Sequence, residues 1–130
     1  MAAAPADFRP AKPADAKIKK HTAPAAIALE PTPDILLRTR PARRAGAVMV
    51  GFALETNDVL NGGRAKLAAK DLDLIVVNDA REAGAGFGVD TNRVTLIGRD
   101  GSEEALPLMS KGDVADAILD RVERMLSGRR

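Results

Sequence analysis

Apolar residues gather into short runs in the second half of the chain, and their spacing predicts a strand–helix–strand unit. Ala47–Ala53 is a short, continuous apolar run, typical of a strand covered on both faces, and Leu72–Val77 is a second predicted buried strand. The segment between them has helical spacing, with Thr56 or Asn57 as its predicted N-cap. Strand, helix and strand within about thirty residues form a βαβ unit, which implies a right-handed parallel crossover.

The pattern after this unit predicts a hairpin and a long final helix. Strands are expected at Arg93–Ile97 and Ala105–Leu108, joined across the turn signal Asp100-Gly101. Ser110, with an aspartate three residues later, predicts the cap of a helix over about 111–126. The predicted fold class is α/β: a three-layer Rossmann-like parallel sheet with a C-terminal β-hairpin extension and flanking helices.

The first third of the chain has a different character. Seven of the eight prolines fall within residues 1–41, which excludes a long helix there. Short strands are expected at Ala2–Asp7 and Ala25–Glu30. A short helix should follow, with Thr32 as its N-cap and Pro33 at its first position.

Charge divides the chain at the same place. Residues 1–44 carry nine basic and four acidic groups, whereas residues 45–130 carry eleven basic and fourteen acidic groups. We therefore expect an α/β body at 45–130, preceded by a flexible basic flap and linker at 1–44. A basic arm indicates either an anionic partner or a solvated tail.

Composition excludes several classes of function. The chain has no cysteine and one histidine, so disulfides and cysteine–zinc sites are excluded and a reducing compartment, the cytoplasm, is expected. Aromatic residues make up 2% of the chain, which argues against stacking on single-stranded nucleic acid. No apolar run approaches the roughly 18 residues of a membrane helix, so no membrane partner is expected.

The residues best suited to chemistry are cations that can meet a polyphosphate. Lys17, Lys19 and Lys20 can close over a triphosphate, or they can form a solvated basic loop. Lys66 and Lys70 share a helical face, where they can pair with a nearby aspartate, Asp58 or Asp73, or reach a phosphate or ribose.

Two aspartates and a polar strand end add to this picture. Asp34 lies in the first turn of a helix, where it either caps the helix or marks a phosphate site. Asp7 can accept a hydrogen bond from a base amine or ribose, or it can be a turn residue. Asn78-Asp79 ends the second buried strand. The glycines of Gly84–Gly88 open onto no helix, so they indicate a structural or dimer-contact loop rather than a dinucleotide site.

Taken together, these segments resemble the C-terminal portion of phosphopantothenoylcysteine synthetase, also called phosphopantothenate–cysteine ligase. In bacteria it is usually the second half of a bifunctional coenzyme A biosynthesis flavoprotein. The matching stretches cover nearly the whole chain in order: AAAPADFRP, KIKK, PTPDIL, VGFALETNDVL, RAKLAAKDLDLIVVND, GAGFGVDTNRVTLI and LPLMSKGDVADAILDRV.

The resemblance implies a CTP-dependent ligase that uses Mg²⁺ and joins 4′-phosphopantothenate to cysteine. The pantothenate carboxylate is activated as an acyl-cytidylate, and the cysteine amine then displaces CMP. The resemblance also implies a homodimer, with FMN only in a separate upstream domain if one is present. Metal ligands cannot be assigned from it.

Position by position, the resemblance implies one catalytic residue and a CTP site. Lys17 matches the flap lysine that reaches the triphosphate and supports turnover of the acyl-cytidylate. The remaining CTP-contacting positions are Asp7 for the cytidine part, Pro33, Asp34, Ile35 and Leu36 in a nucleotide-binding turn, Phe52, Lys66 and Lys70.

Family ligase domains begin about sixty to seventy residues earlier, with a Gly-rich βαβ region, and they usually have valine where this chain has Pro5. We therefore expect the chain to be an incomplete ligase that is inactive alone. The alternative is a non-catalytic remnant that keeps the α/β fold as an interaction or dimerisation module.

Overall fold

The structure is a computed structural model that describes residues 6–22, 26–79, 81 and 89–128. The loop predicted at Gly84–Gly88 and most of the strand predicted at Ala2–Asp7 lie outside these residues. Contacts divide the chain into two compact units, Met1–Pro41 and Ala42–Arg130. Within the described part, no helix is both long and apolar enough to cross a membrane.

Three α-helices and eight strands occur among the described residues. The helices are α1 (Ile35–Thr39), α2 (Val59–Ala69) and α3 (Lys111–Ser127). The strands are β1 (Phe8–Pro10), β2 (Leu29–Pro31), β3 (Val50–Glu55), β4 (Leu74–Asp79), β5 (Thr91–Asn92), β6 (Val94–Gly98), β7 (Glu103–Ala105) and β8 (Met109–Ser110).

The first unit is built on an antiparallel ribbon of β1 and β2. Arg9 lies opposite Glu30, and its Nε is 2.7 Å from the glutamate Oε1. The prediction of Thr32 as the helix cap is wrong: Asp34 is the N-cap of α1, and its Oδ1 accepts from the backbone N–H of Leu37 at 3.1 Å. Thr32 instead closes the ribbon, because its backbone N–H donates to the Asp7 carbonyl at 2.9 Å.

The second unit contains a four-stranded sheet of order β3-β4-β6-β7. β3 and β4 are parallel and joined through α2, as predicted, whereas the pairs β4–β6 and β6–β7 are antiparallel. The sheet is therefore mixed, with one parallel pair among its described strands. The α/β class, the crossover and the β6–β7 hairpin are confirmed.

The two central strands, β4 and β6, are covered on both faces, which gives three layers. One face packs against α3 through a core of aliphatic side chains: Leu74, Val76, Val94, Leu96, Leu106, Val114 and Ile118. Val77 and Ile97 face α2 on the other side. Because the chain has few aromatic residues, branched aliphatic side chains supply this core, and each buried one contributes about 1.5–3 kcal/mol.

β3 is buried on one face only, so the prediction of two covered faces is wrong. Gly51 and Ala53 are buried, whereas Phe52 is 74% exposed and Leu54 is 47% exposed. The reason is its position at the end of the strand order: the α3-facing core lies over β4 and β6 and does not extend across Phe52.

Two adjacent glycines of α2, Gly62 and Gly63, pack closely against side chains of the sheet. A Cβ at Gly63 would lie 2.5 Å from Val77 Cγ2 and 3.2 Å from Ile97 Cδ1. The glycines weaken the isolated helix, but they allow this close packing. The predicted caps Thr56 and Asn57 are wrong: Asp58 holds the N-cap position with φ of 46° and no side-chain capping bond.

A network of charged groups ties together the other end of the sheet. Asp73 is 7% exposed, and its Oδ2 accepts from the backbone N–H of Met49 at 2.7 Å. Arg99 Nε donates to the Leu72 carbonyl at 3.0 Å and lies 3.5 Å from Asp73 Oδ1. Its Nη2 is 2.8 Å from Asp71 Oδ1. This network fixes the start of β4 against the end of β6.

The edge strand β7 connects both helical layers. Glu103 pairs with Arg64 of α2, and Glu104 pairs with Arg121 of α3. Because successive side chains of a strand point to opposite faces, three residues suffice to contact both helices. β7 begins two residues before the strand predicted at Ala105–Leu108.

The predicted cap of α3 is confirmed. Ser110 Oγ accepts from the backbone N–H of Asp113 at 3.1 Å and donates to its carboxylate at 2.7 Å.

The turn between β6 and β7 gives a prediction about pH. Ser102 donates to Asp100 Oδ1 from its hydroxyl at 2.6 Å and its backbone N–H at 3.0 Å, and these bonds lower the pKa of Asp100. A lowered folded-state pKa stabilises the fold above the ordinary aspartate pKa, and this contribution is lost as pH falls through the lower value. Ser102→Ala should move the Asp100 pKa upward in an NMR titration of its carboxyl carbon. An unchanged pKa in that variant would contradict this assignment.

Candidate functional site

The carboxyl ends of β3 and β4 form the candidate site of the second unit. The strands are parallel and in register, so Glu55 lies directly opposite Asp79 at their ends. In open α/β sheets, ligands bind beyond the carboxyl ends of parallel strands, near the start of the crossover helix. The polar residues that end both strands are therefore where ligand chemistry is expected.

Asp79 is held by its neighbour Arg81. One carboxylate oxygen accepts from the Arg81 backbone N–H at 2.9 Å and from its Nε at 3.2 Å. The side-chain hydrogen bonds are the main reason that the pKa of Asp79 is lowered, and the same pair raises the pKa of Arg81. Asp79 is therefore ionised at neutral pH, and its charge is matched by a guanidinium.

Asn78, next to Asp79, has a buried side-chain oxygen. Its Oδ1 has no hydrogen-bond partner among the described residues. An unsatisfied buried acceptor costs about 1–3 kcal/mol, so it marks a position where a donor is expected.

Lys66 points toward this edge, but its partner differs from the predicted ones. Its Nζ lies 2.7 Å from Glu55 Oε1 rather than on Asp58 or Asp73. The lysine side chain is 46% exposed, and the glutamate side chain is 16% exposed. Helical side chains lean toward the N-terminus, which carries the ammonium group one turn back toward the carboxyl edge.

Lys70 occupies a different place. It is the C-cap residue of α2, at the end of the helix away from the carboxyl edge. Its carbonyl accepts from Arg43 Nη2 at 3.1 Å. Lys66 and Lys70 therefore lie at successive turns, with Lys66 nearer the candidate site.

Phe52 lies on the opposite face of β3 from Lys66. Val50 packs against the core that α3 covers, and Phe52 follows it at the two-residue period of a strand. α2 covers the other face. The structure thus places Phe52 on one face of β3, whereas Lys66, a residue of α2, lies on the other face of that strand and pairs there with Glu55.

The first unit carries the other predicted residues. Asp7 is exposed, and its carbonyl is tied to the turn that contains Pro33 and Asp34. Ile35 is 47% exposed and Leu36 is half-buried. Lys17 is exposed in the segment between β1 and a 3₁₀ turn at Lys20–Thr22. The Asp34 carboxylate occupies the N–H of Leu37, so capping, rather than an open helix end, accounts for this position.

A cleft of about 520 Å³ lies against the same turn. Pro33 and Ile35 line it, together with Ala6, Phe8, Arg9, Thr32, Arg38 and Thr39. Its walls are mainly apolar, and of its two arginines Arg9 is already paired with Glu30.

A resident metal does not fit the described residues. No group of three or more histidine, cysteine, aspartate or glutamate side chains among them could hold a metal ion. Mg²⁺ commonly binds through substrate phosphates with only one or two carboxylates. The described residues are therefore compatible with an ion that is carried by substrate phosphates.

Comparison with known proteins gives the family. The family described as DFP, DNA/pantothenate metabolism flavoprotein C-terminal domain, matches residues 1–126. The chain belongs to this family. A relative in Bacillus subtilis (strain 168), the coenzyme A biosynthesis bifunctional protein CoaBC, is 47% identical over 120 residues. The match covers 92% of this chain and 29% of the relative, so the chain spans under a third of that protein.

Solved structures agree with the DFP assignment. The C-terminal domain of a coenzyme A biosynthesis bifunctional protein CoaBC matches with a TM-score of 0.73 and 33% identity, covering 97% of this chain and 53% of that domain. A Cab2 mutant in complex with phosphopantothenate-cysteine matches with a TM-score of 0.60 and 15% identity, covering 79% of this chain and 34% of that one, which shows a shared fold. The resemblance drawn from the sequence is confirmed.

Sequence reasoning missed Glu55 as a partner of Lys66. The available signal was a carboxylate at the end of a buried strand, followed by Gly62 in the next helix. Helical glycines at the packed face mark close approach, and Gly62 lies against Glu55. The assignment of the individual site residues to CTP stays a prediction.

Proposed function

We propose that this DFP-family chain is the CTP-binding part of a phosphopantothenate–cysteine ligase that acts in coenzyme A biosynthesis in the cytoplasm. The observation that carries the proposal is the family match over residues 1–126, supported by the 47% identity with Bacillus subtilis CoaBC. The Cab2 complex, which contains phosphopantothenate-cysteine, supports a substrate of the pantothenate type.

The proposed chemistry has two steps. An oxygen of the 4′-phosphopantothenate carboxylate attacks the α-phosphorus of CTP, and pyrophosphate leaves. The cysteine amine then attacks the acyl carbon of the acyl-cytidylate, which gives the amide and CMP. Negative charge develops on phosphate oxygens in the first step, so positioned cations stabilise its transition state.

Each unit contributes proposed ligands. In the first unit, Lys17 reaches the triphosphate and is the proposed catalytic residue, and Asp7 contacts the cytidine part. The turn of Pro33, Asp34, Ile35 and Leu36 contacts the nucleotide, which the adjoining cleft supports. In the second unit the proposed ligands are Phe52, Lys66 and Lys70, with Mg²⁺ carried by the triphosphate.

A second protomer is part of the proposal. One face of the β1–β2 ribbon carries Phe8 and Leu29, which are 57% and 59% exposed. A two-stranded ribbon is marginal alone and is stabilised when its apolar face is covered. This supports a homodimer.

Titration of the chain with CTP and Mg²⁺ tests the proposal. Ligand that binds the native state raises the melting temperature, because a hundredfold excess over Kd stabilises it by about 2.7 kcal/mol. We expect CTP to raise the melting temperature more than UTP or CMP, since the latter two lack the cytosine amine or the terminal phosphates. A melting temperature unmoved by millimolar CTP would contradict the proposal and favour the non-catalytic interaction module.

A further inference from the structure

Glu55 and Lys66 form an ion pair, and the Glu55 carboxylate lies in a narrow space, called the slot, beside Gly62 of α2. Glu55 is the last residue of β3, and its side chain is 16% exposed. Its Oε1 lies 2.7 Å from Lys66 Nζ, which makes an ion pair without the geometry of a hydrogen bond. The carboxylate is thus largely removed from solvent, and the lysine is its charge partner.

Gly62 makes the room for this carboxylate. A Cβ at position 62 would lie 3.0 Å from Glu55 Cδ and 3.1 Å from its Oε2. Gly62 precedes Lys66 by four residues, so the slot and the lysine lie on one row of α2. Because Gly62 has no side chain, the Glu55 carboxylate can lie against α2 and within reach of the Lys66 ammonium group.

The pair occupies the place where an anionic ligand is expected. It lies at the carboxyl end of β3, beside the start of the crossover helix. A lysine ammonium has three donors and attracts anions without directional preference. A phosphate that reaches Lys66 must therefore compete with a carboxylate already bound to it.

We propose that Glu55 is a specificity-determining residue, an internal carboxylate that occupies Lys66 until a polyphosphate displaces it. This inference rests on the proposed function, in which Lys66 contacts CTP. A tethered carboxylate excludes weak anions from the lysine, whereas a nucleotide triphosphate has the charge and the additional contacts to replace it. The residue thereby makes the site selective for a polyphosphate.

The test is the affinity of the full chain for CTP with Mg²⁺, measured by calorimetry. Glu55→Gln keeps the shape of the side chain and removes its charge, so we expect CTP to bind about five-fold more tightly, the size of a partly exposed ion pair. Cytidine, which has no phosphate, should bind with unchanged affinity. Glu55→Asp, which is too short to keep the contact, should give a smaller gain.

Glu103→Gln is the matched control. It removes the same charge from another ion pair to α2, the one with Arg64, and we expect CTP affinity to stay within about two-fold. The second control repeats Glu55→Gln in a Lys66→Gln background. Because no ammonium remains to be released, the gain in CTP affinity should disappear.

The outcomes separate this inference from the proposed function. Unchanged or weaker CTP binding by Glu55→Gln overturns the inference, as does an equal gain in the Lys66→Gln background, which would reflect long-range charge. Both results leave CTP binding by the chain intact. If Lys66→Gln binds CTP as tightly as the unmodified chain, the role of Lys66 fails and the inference fails with it. If the unmodified chain binds no CTP, the proposed function is overturned as well.

Discussion

Replacing Asp73 with alanine is expected to lower the free energy of unfolding by about 3 kcal/mol. The carboxylate is buried, accepts from the Met49 backbone N–H at 2.7 Å and lies beside Arg99. Alanine leaves that donor without its acceptor and removes the negative charge that faces the guanidinium. Urea denaturation with linear extrapolation measures the change.

Asp116→Ala is the control for Asp73→Ala. Asp116 is exposed on α3, and removing it should change stability by less than about 0.5 kcal/mol. A loss below about 1 kcal/mol for Asp73→Ala would show that Arg99 and Met49 find other partners at little cost.

Gly63→Ala is expected to destabilise the fold by about 2 kcal/mol, although alanine is the better helix former. The helix itself would gain about 1 kcal/mol. The new methyl, however, would lie 2.5 Å from Val77 Cγ2, and Val77 is 1% exposed in the core. Overpacking costs typically 1–3 kcal/mol, and so short an approach to a core side chain places this site at the upper end of about 3 kcal/mol, which exceeds the helix gain by about 2 kcal/mol.

The matched variant is Gly112→Ala in α3. A Cβ there would meet only Ser110 Oγ, at an ordinary 3.5 Å, so stability should stay level or rise by up to about 1 kcal/mol. Urea denaturation of both variants gives the comparison. Gly63→Ala with stability equal to the unmodified chain would mean that α2 moves away from β4 easily.

Several signals confined to a few neighbouring residues predicted the structure correctly, although the predicted cap of α2 was wrong. The cap of α3 at Ser110 can be recognised from residues within one helical turn. The strands β3 and β4 can be recognised from the aliphatic residues within each segment. The hairpin turn at Asp100-Gly101 belongs to the same class, and Gly101 has φ of 84°. In each case the residues that determine the element are close together in the sequence.

Predictions that depend on distant residues failed for physical reasons. Thr32 and Asp34 are both good caps, and Asp34 caps α1 while Thr32 closes the β1–β2 ribbon. The exposed face of β3 depends on which strand lies at the sheet edge. Lys66 pairs with Glu55 of a strand, which helical spacing does not reveal.

The candidate site was predicted by type more than by geometry. The cations were predicted from their spacing and from the family resemblance, and the strand-end polar residues Asn78-Asp79 from the position of the second buried strand. The face of the sheet on which each side chain lies was not predicted. Phe52 projects from one face of β3 because side chains alternate along the strand, and Lys66 lies at the other face because α2 packs there.

The two glutamates of β7 also have a consequence for behaviour at high protein concentration. β7 is three residues long, and its carboxylates are already engaged by Arg64 and Arg121. A short edge strand with charged side chains is a poor template for backbone pairing by a neighbouring molecule. The ion pairs that hold the helices in place therefore also protect this flank of the protein against open-ended β-aggregation.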